Sequence, residues 1–283
     1  MPAGAASEGR LLCVTVADFP SAAVPDTVTA ADQPDGASVA VAALSPLLDL
    51  PDVRSSLEAA RAAVDSAFRH PALRNSGGSV TAEANLRSAV ASAALDGHRY
   101  DLAEVRAGTV TDPVVQGALR VARELDGMAR LWTRVPRQVL ARVHVLAGRD
   151  VVDDGTLGRP VSAEALPRLS GLLGLLAGLA TVPTLLVAAI VHGELLALRP
   201  FAGPAGIVAR VAGRLTLVAG GLDPRGLLAP EIGHLARQPE YQGAANAYAT
   251  GTPDGVRAWI KHCAAAVELA AAEVVAIGDG ATG

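Results

Sequence analysis

Sulfur and aromatic side chains are scarce in this chain: 283 residues hold two cysteines, two methionines and 3% aromatics. Cys13 and Cys263 are far apart and fit no C-x-x-C or Cys/His ligand spacing, so neither a disulfide framework nor a zinc site is expected. They read as free thiols in a reducing cytoplasm. Lysine is almost missing, with Lys261 alone among 24 cationic residues. Together with the excess of Ala, Gly, Pro and Val, this points to a GC-rich bacterial coding sequence rather than to a functional choice. Positive charge does not dominate either. The 24 Lys and Arg face 28 Asp and Glu for a net charge of −4, which gives no general attraction to nucleic acid or anionic lipid. The opening MPAGAASEGR lacks a basic stretch followed by an apolar one, so no secretory signal is expected.

Small apolar side chains and helix formers are abundant. The apolar fraction is 51%, much of it Ala, and cores of this kind depend on close approach between helices. The expectation is an all-α fold with three parts: an N-terminal arm over 1–54, one helical domain over 55–275 and a tail over 276–283. In the arm, LLCVTVADF is a candidate short strand and PDTVTAADQPDGAS a loop. Eight or nine helices are expected after it. One carries Leu57, Ala60, Val64 and Phe68 on a face and stops at Pro71. Another starts at Thr81 and closes at Asp96-Gly97, where glycine supplies a left-handed residue. Asp112-Pro113 is a cap followed by a first-position proline, 136–148 is bounded by Pro136 and Gly148, and the last long helix starts at Thr252-Pro253. GTPDG at 251–255 is read as that helix's starting turn.

The run LSGLLGLLAGLATVPTLLVAAIV, 169–191, is 23 residues without a charge and contains Gly174-x-x-x-Gly178. Pro183 and the scattered Ser, Gly and Thr favour two buried helices meeting at 181–184, with Thr181 capping the second, over a membrane span.

Next comes VAAIVHGELLALRPFAGPAGIVAR, 187–210: an apolar helix, a turn with Pro and Gly, then another helix. Such a frame presents unpaired N–H groups and a positive dipole end to an anion in the turn. The stretch resembles the core of the Fic (Fic/Doc, Fido) family, whose signature is His-Pro-Phe-x-Asp/Glu-Gly-Asn-Gly-Arg-x-x-Arg. VPTLLVAAI is similar to the family's lead-in, and LARVHVLAGRDVVDDGTLGRP to the segment before its flap. PEYQGAANAYATGTPDGVRAWIKHCAAAV is similar to its closing helices. SAALDGHRYDLAEV resembles the inhibitory motif Ser/Thr-x-x-x-Glu-Gly/Asn, with Ser92, Asp96 and Gly97 at its positions. The resemblance spans roughly 55–275. It implies a Fic-like helical fold and, in family members with the full signature, transfer of a nucleotidyl group, usually AMP, to a protein hydroxyl.

Matched residue by residue, the signature is eroded. Arg199 stands where the family's histidine takes the proton, and an arginine offers no lone pair. Gly203 replaces the acid that would ligate Mg²⁺, so no metal site is expected. Pro204 replaces a glycine whose N–H would face the phosphates. Ala205 and Ile207 remove an amide and a guanidinium, while Pro200, Phe201, Gly206 and Arg210 remain. Loss of a general base costs ~10²–10⁴ in rate and loss of one stabilising donor ~10²–10³. The segment after Arg159-Pro160 leaves no room for the two strands of the family's flap.

The resemblance therefore implies a binding or regulatory protein in the cytoplasm without AMP-transferase activity. It would need no cofactor and would have a protein partner, no nucleic acid and no membrane, with homo-oligomerisation left open. The alternative is an active enzyme in which Arg199 and Arg210 hold the phosphates of a nucleotide with Mg, and Glu194 or Asp96 acts as base. Arg199, Gly206 and Arg210 are the candidate anion-binding residues, although Arg199 also fits a solvated helix-end arginine. The resemblance sets Arg210 opposite Asp96 as a pair. His192, seven residues before Arg199, is read as a core histidine, and His70, His98, His144, His234 and His262 as structural. Ser92 has no His/Asp order to activate it, and the glycine pairs follow no strand, so nucleophile and P-loop readings fail.

Overall fold

A computed structural model describes residues 36–282 apart from 75–77, 162 and 164. Among them the regular structure is entirely helical. In chain order the helices are α1 (Gly36–Leu44), α2 (Val53–Arg69), α3 (Pro71–Arg74), α4 (Gly78–Leu95), α5 (Leu102–Arg106), α6 (Pro113–Ala129) and α7 (Pro136–Gly148). They continue with α8 (Ala165–Gly174), α9 (Thr184–Leu198), α10 (Ala205–Ala219), α11 (Pro230–Ala236), α12 (Gln238–Ala249) and α13 (Pro253–Thr282).

Local chemistry sets many of these boundaries. Asp112 accepts the N–H groups of Val114 (2.8 Å) and Val115 (3.2 Å) at the head of α6, just before Pro113. Asp101 and Glu104 form a reciprocal capping box on α5. Gly97, at φ +97°, ends α4.

Several expectations are corrected. Among the described residues the helical body already includes Gly36–Leu44, ahead of the expected boundary at 55: Ala40, Leu44 and Leu47 are buried in the core, and α1 packs on the 3₁₀ turn Leu175–Gly178. The residues assigned to a tail continue α13 as far as Thr282, with Ile277 buried. The helices number thirteen among the described residues, because α1, α3, α5 and α11 are too short or too uniformly apolar to show a period. α4 begins at Gly78, before Thr81. Thr181 does not cap α9; its hydroxyl donates to Gly178 O at 3.1 Å, and α9 begins at Thr184 after Pro183. The candidate strand LLCVTVADF lies outside the described residues. No helix among the described residues is long and apolar enough to cross a membrane.

α9 and α10 form the centre. Every residue of α9 from Leu185 to Leu195 is buried, and α10 is buried from Ile207 to Leu217. α10 packs on α9, α4, α6 and α7, while α13 packs on α2, α11 and α12. Trp132 and Trp259 are fully buried, each worth about 1.5–3 kcal/mol of apolar transfer. Their ring N–H groups are satisfied by Thr216 Oγ1 (3.0 Å) and Ala189 O (2.7 Å). This assembly places the 199–204 turn, which joins α9 to α10, at the edge of the central pair.

Candidate functional site

α9 ends at Arg199, which takes a left-handed conformation (φ 43°, ψ 58°) while its N–H still bonds Leu195 O. Its side chain is exposed. The turn that follows is pinned from another part of the chain. Gly158 N–H donates to His144 Nδ1 at 2.9 Å, so that nitrogen carries no proton, and the Nε2–H donates to Ala202 O at 2.8 Å. Phe201 stacks on the same imidazole with ring centroids 4.8 Å apart. Pro200 O accepts from Val161 N–H at 2.9 Å. His144 is fully buried, and that burial holds its pKa below the usual histidine value against the opposing bond to Ala202.

Gly203 follows at φ +69°, and a Cβ placed there would stand 2.5 Å from Val152 Cγ1. The loop after α7 therefore lies across the position where the family signature carries a carboxylate. Pro204 is the first flanking residue of α10 and makes no side-chain cap bond. Instead the carboxylate of Asp96 sits at this end of the helix, so close to Gly206 that a Cβ there would overlap it. A negative group at a helix N-terminus is favourable in itself.

Asp96 Oδ1 also pairs with Arg210 Nη2 at 2.9 Å. The buried Arg210 guanidinium gives its Nε–H to Ser92 Oγ (2.8 Å), its Nη2 to Ser92 O (2.9 Å) and its Nη1 to Tyr241 OH (3.4 Å). Ser92 and Asp96, one turn apart on α4 and at the residue after it, thus converge on one residue of α10. Ile207 is fully buried apolar core.

An open cleft of about 450 Å³ remains outside this cluster, lined by Asp96, His98, Val114, Val151, Arg199 and the backbone from Gly203 to Gly206. Of the three candidate anion-binding residues, Arg199 and Gly206 face the cleft and Arg210 is turned into the core. His98 is held by Asp112 Oδ2 at 2.8 Å, which also accepts from Tyr100 OH at 3.1 Å. Burial works against the Asp112 charge, but His98, the Val115 and Val114 N–H groups and Tyr100 outweigh it and keep the carboxyl below its ordinary range.

Glu194 is not at this cleft. It is 3% exposed, bonded to Arg168 Nη2 (2.8 Å) and to Tyr248 OH (2.8 Å), which commits it to docking α8 and α12 on α9 and removes it as a base. The Tyr248 phenol is pushed well above its usual pKa by burial and by this carboxylate.

His192 is buried in a polar and aromatic cluster that sequence reasoning did not assemble. Its Nε2 lies 3.1 Å from Tyr241 OH, the phenol that also accepts from Arg210. His234 Nδ1 and His262 Nε2 are 3.0 Å apart, and Trp259 packs against all three imidazoles. Burial, aided by Arg210 and His262, holds His192 well below 6.5; His234 is lowered likewise, and His262 is brought to about 4. These rings are neutral core groups. No cluster of His, Cys, Asp or Glu among the described residues has metal-binding geometry. His144 was read only as structural, and Val152 was not singled out, because Ala202 and Gly203 lie some 50 residues from them and no spacing rule links them.

No family model matches the chain, and no curated protein matches it in sequence. Solved structures do match in fold. A Fic family protein from Desulfovibrio desulfuricans G20 is 22% identical with a TM-score of 0.65, over 80% of this chain and 74% of that one. Fic-1 from C. elegans is 18% identical with a TM-score of 0.65, over 84% of this chain and 75% of that one. The all-α Fic fold expected from the sequence is the fold of this chain.

Proposed function

We propose that this Fic-fold chain does not transfer AMP and acts in the cytoplasm as a binding or regulatory protein for a protein partner. The observation that carries this reading is the Asp96 carboxylate at the N-terminus of α10, tied to Arg210 at 2.9 Å. The place where a nucleotide's phosphates would need unpaired N–H groups and positive charge already holds an anion of the chain's own, and a phosphate brought there would meet like charge.

Two further features support it. Arg199 presents a guanidinium, which has no lone pair with which to take a proton from a hydroxyl. Val152 crowds Gly203 so closely that a metal-binding side chain at that position has no room unless the loop moves. The alternative, an enzyme holding phosphates with Arg199 and Arg210, loses one arginine to the core and Glu194 to Arg168 and Tyr248.

Titration calorimetry of the full chain with ATP and Mg²⁺ tests the reading. No binding in the micromolar range is expected. Magnesium-dependent micromolar binding, or labelling of a polypeptide from a nucleoside triphosphate that is lost on replacing Arg199, would overturn it.

A further inference from the structure

A small cavity of about 20 Å³, with a mostly apolar wall, lies in the core between α9, α10, α11 and α13, away from the cleft, and every residue lining it is buried. Three charged side chains share its wall, Arg210 and Arg214 from α10 and Glu231 from α11, at 3%, 2% and 1% exposure. Arg214 gives Nη1 to Ser88 Oγ (3.1 Å) and Nη2 to Asn85 Oδ1 (2.7 Å) and Gly226 O (3.0 Å). Its Nε–H has no partner, and neither has Glu231 Oε2. A donor and an acceptor that each lack a partner thus belong to two residues of one cavity wall, and buried polar atoms in folded proteins are rarely left in that state.

The wall chemistry selects what fits. A cation would face the Arg210 and Arg214 guanidinium groups and an anion the Glu231 carboxylate. A neutral group that accepts on one side and donates on the other suits both. The volume accommodates one water, which needs roughly 10–15 Å³. We propose that the cavity is a structural water site: one water accepts from Arg214 Nε–H and donates to Glu231 Oε2. The two side chains then form a water-separated ion pair that ties α10 to α11. The link also steadies His234, carried by α11, whose ring packs edge-on against His192 with centroids 5.2 Å apart.

Crystals of the full chain at a resolution that shows ordered solvent test the site. One water is expected within about 3.2 Å of both Arg214 Nε and Glu231 Oε2. Glu231→Gln, which keeps an acceptor, should retain it. Glu231→Leu should lose it and lower the melting temperature by several degrees more than Glu231→Gln does. A dry cavity in the native protein, a halide or alkali ion at the peak, or direct contact between Arg214 and Glu231 overturns the proposal, whether or not the leucine variant folds.

Discussion

At the residue scale, Gly203 and Val152 make the sharpest local statement. The backbone at 203 is left-handed, which disfavours any other residue, and the space where a Cβ would go is already taken by Val152. Gly203→Ala is expected to destabilise the protein by about 1–3 kcal/mol, part from backbone strain and part from overlap. In a Val152→Ala background only the strain should remain, so a double-mutant cycle by urea denaturation should show positive coupling. Equal costs in both backgrounds would mean that Val152 does not fill this space. The Asp96–Arg210 pair was legible through the Ser-x-x-x-Asp-Gly resemblance, although the carboxylate's seat at the end of α10 was not. The role of His144 had no sequence signal at all: Ala202 lies 58 residues from it, and a lone histidine inside a helical pattern looks like any other core residue.

At the element scale, boundaries were readable wherever a capping residue or proline marked them. α7 runs Pro136–Gly148 as its terminal residues suggest, and α6 and α13 start at Pro113 and Pro253. α1 was missed because GASVAVAAL has no polar face to reveal a period, and its alanines and valines follow a Pro/Asp/Gly stretch that reads as loop. α11 was not singled out, since seven residues are barely two turns of helix. Asp112 shows how much one cap can hold: it closes α6 and gathers His98 and Tyr100 at the cleft's edge. Asp112→Ala should cost about 1–2 kcal/mol by denaturant unfolding, whereas Asp112→Asn should recover most of it. No difference between the two variants would show that the cap bonds are dispensable.

At the scale of the whole molecule, the neutral imidazoles of the core make stability depend on acidity. His192 and His234 sit well below 6.5 and His262 at about 4, whereas in the unfolded chain each titrates near 6.5. The unfolded state therefore binds more protons once the pH falls below 6.5, and stability drops from there towards pH 4. Asp223 works the other way: burial raises its carboxyl to about 6 against the Leu227 and Leu228 N–H bonds, so the folded state takes up a proton that the unfolded chain does not accept until about 3.8. Three histidines outweigh one aspartate, and the net slope should approach ~3 kcal/mol per pH unit near pH 5.5. Thermal melts across pH 7.5–4.5 read this directly, and a flat profile would mean that the rings take protons without unfolding. The overall all-α body was foreseeable from small apolar residues in bulk, whereas the histidine cluster was not, since its members come from α9, α11 and α13 and meet only after packing.

The pin at His144 has one more consequence. A single ring joins the floor of the cleft, through Ala202, to the strap that carries Val152 across it, through Gly158, so neither wall can shift without disturbing that imidazole. Anything that wedges into the opening and displaces the strap would register in the ring's nitrogen and proton resonances, and the protein thereby contains its own gauge of whether the opening is occupied.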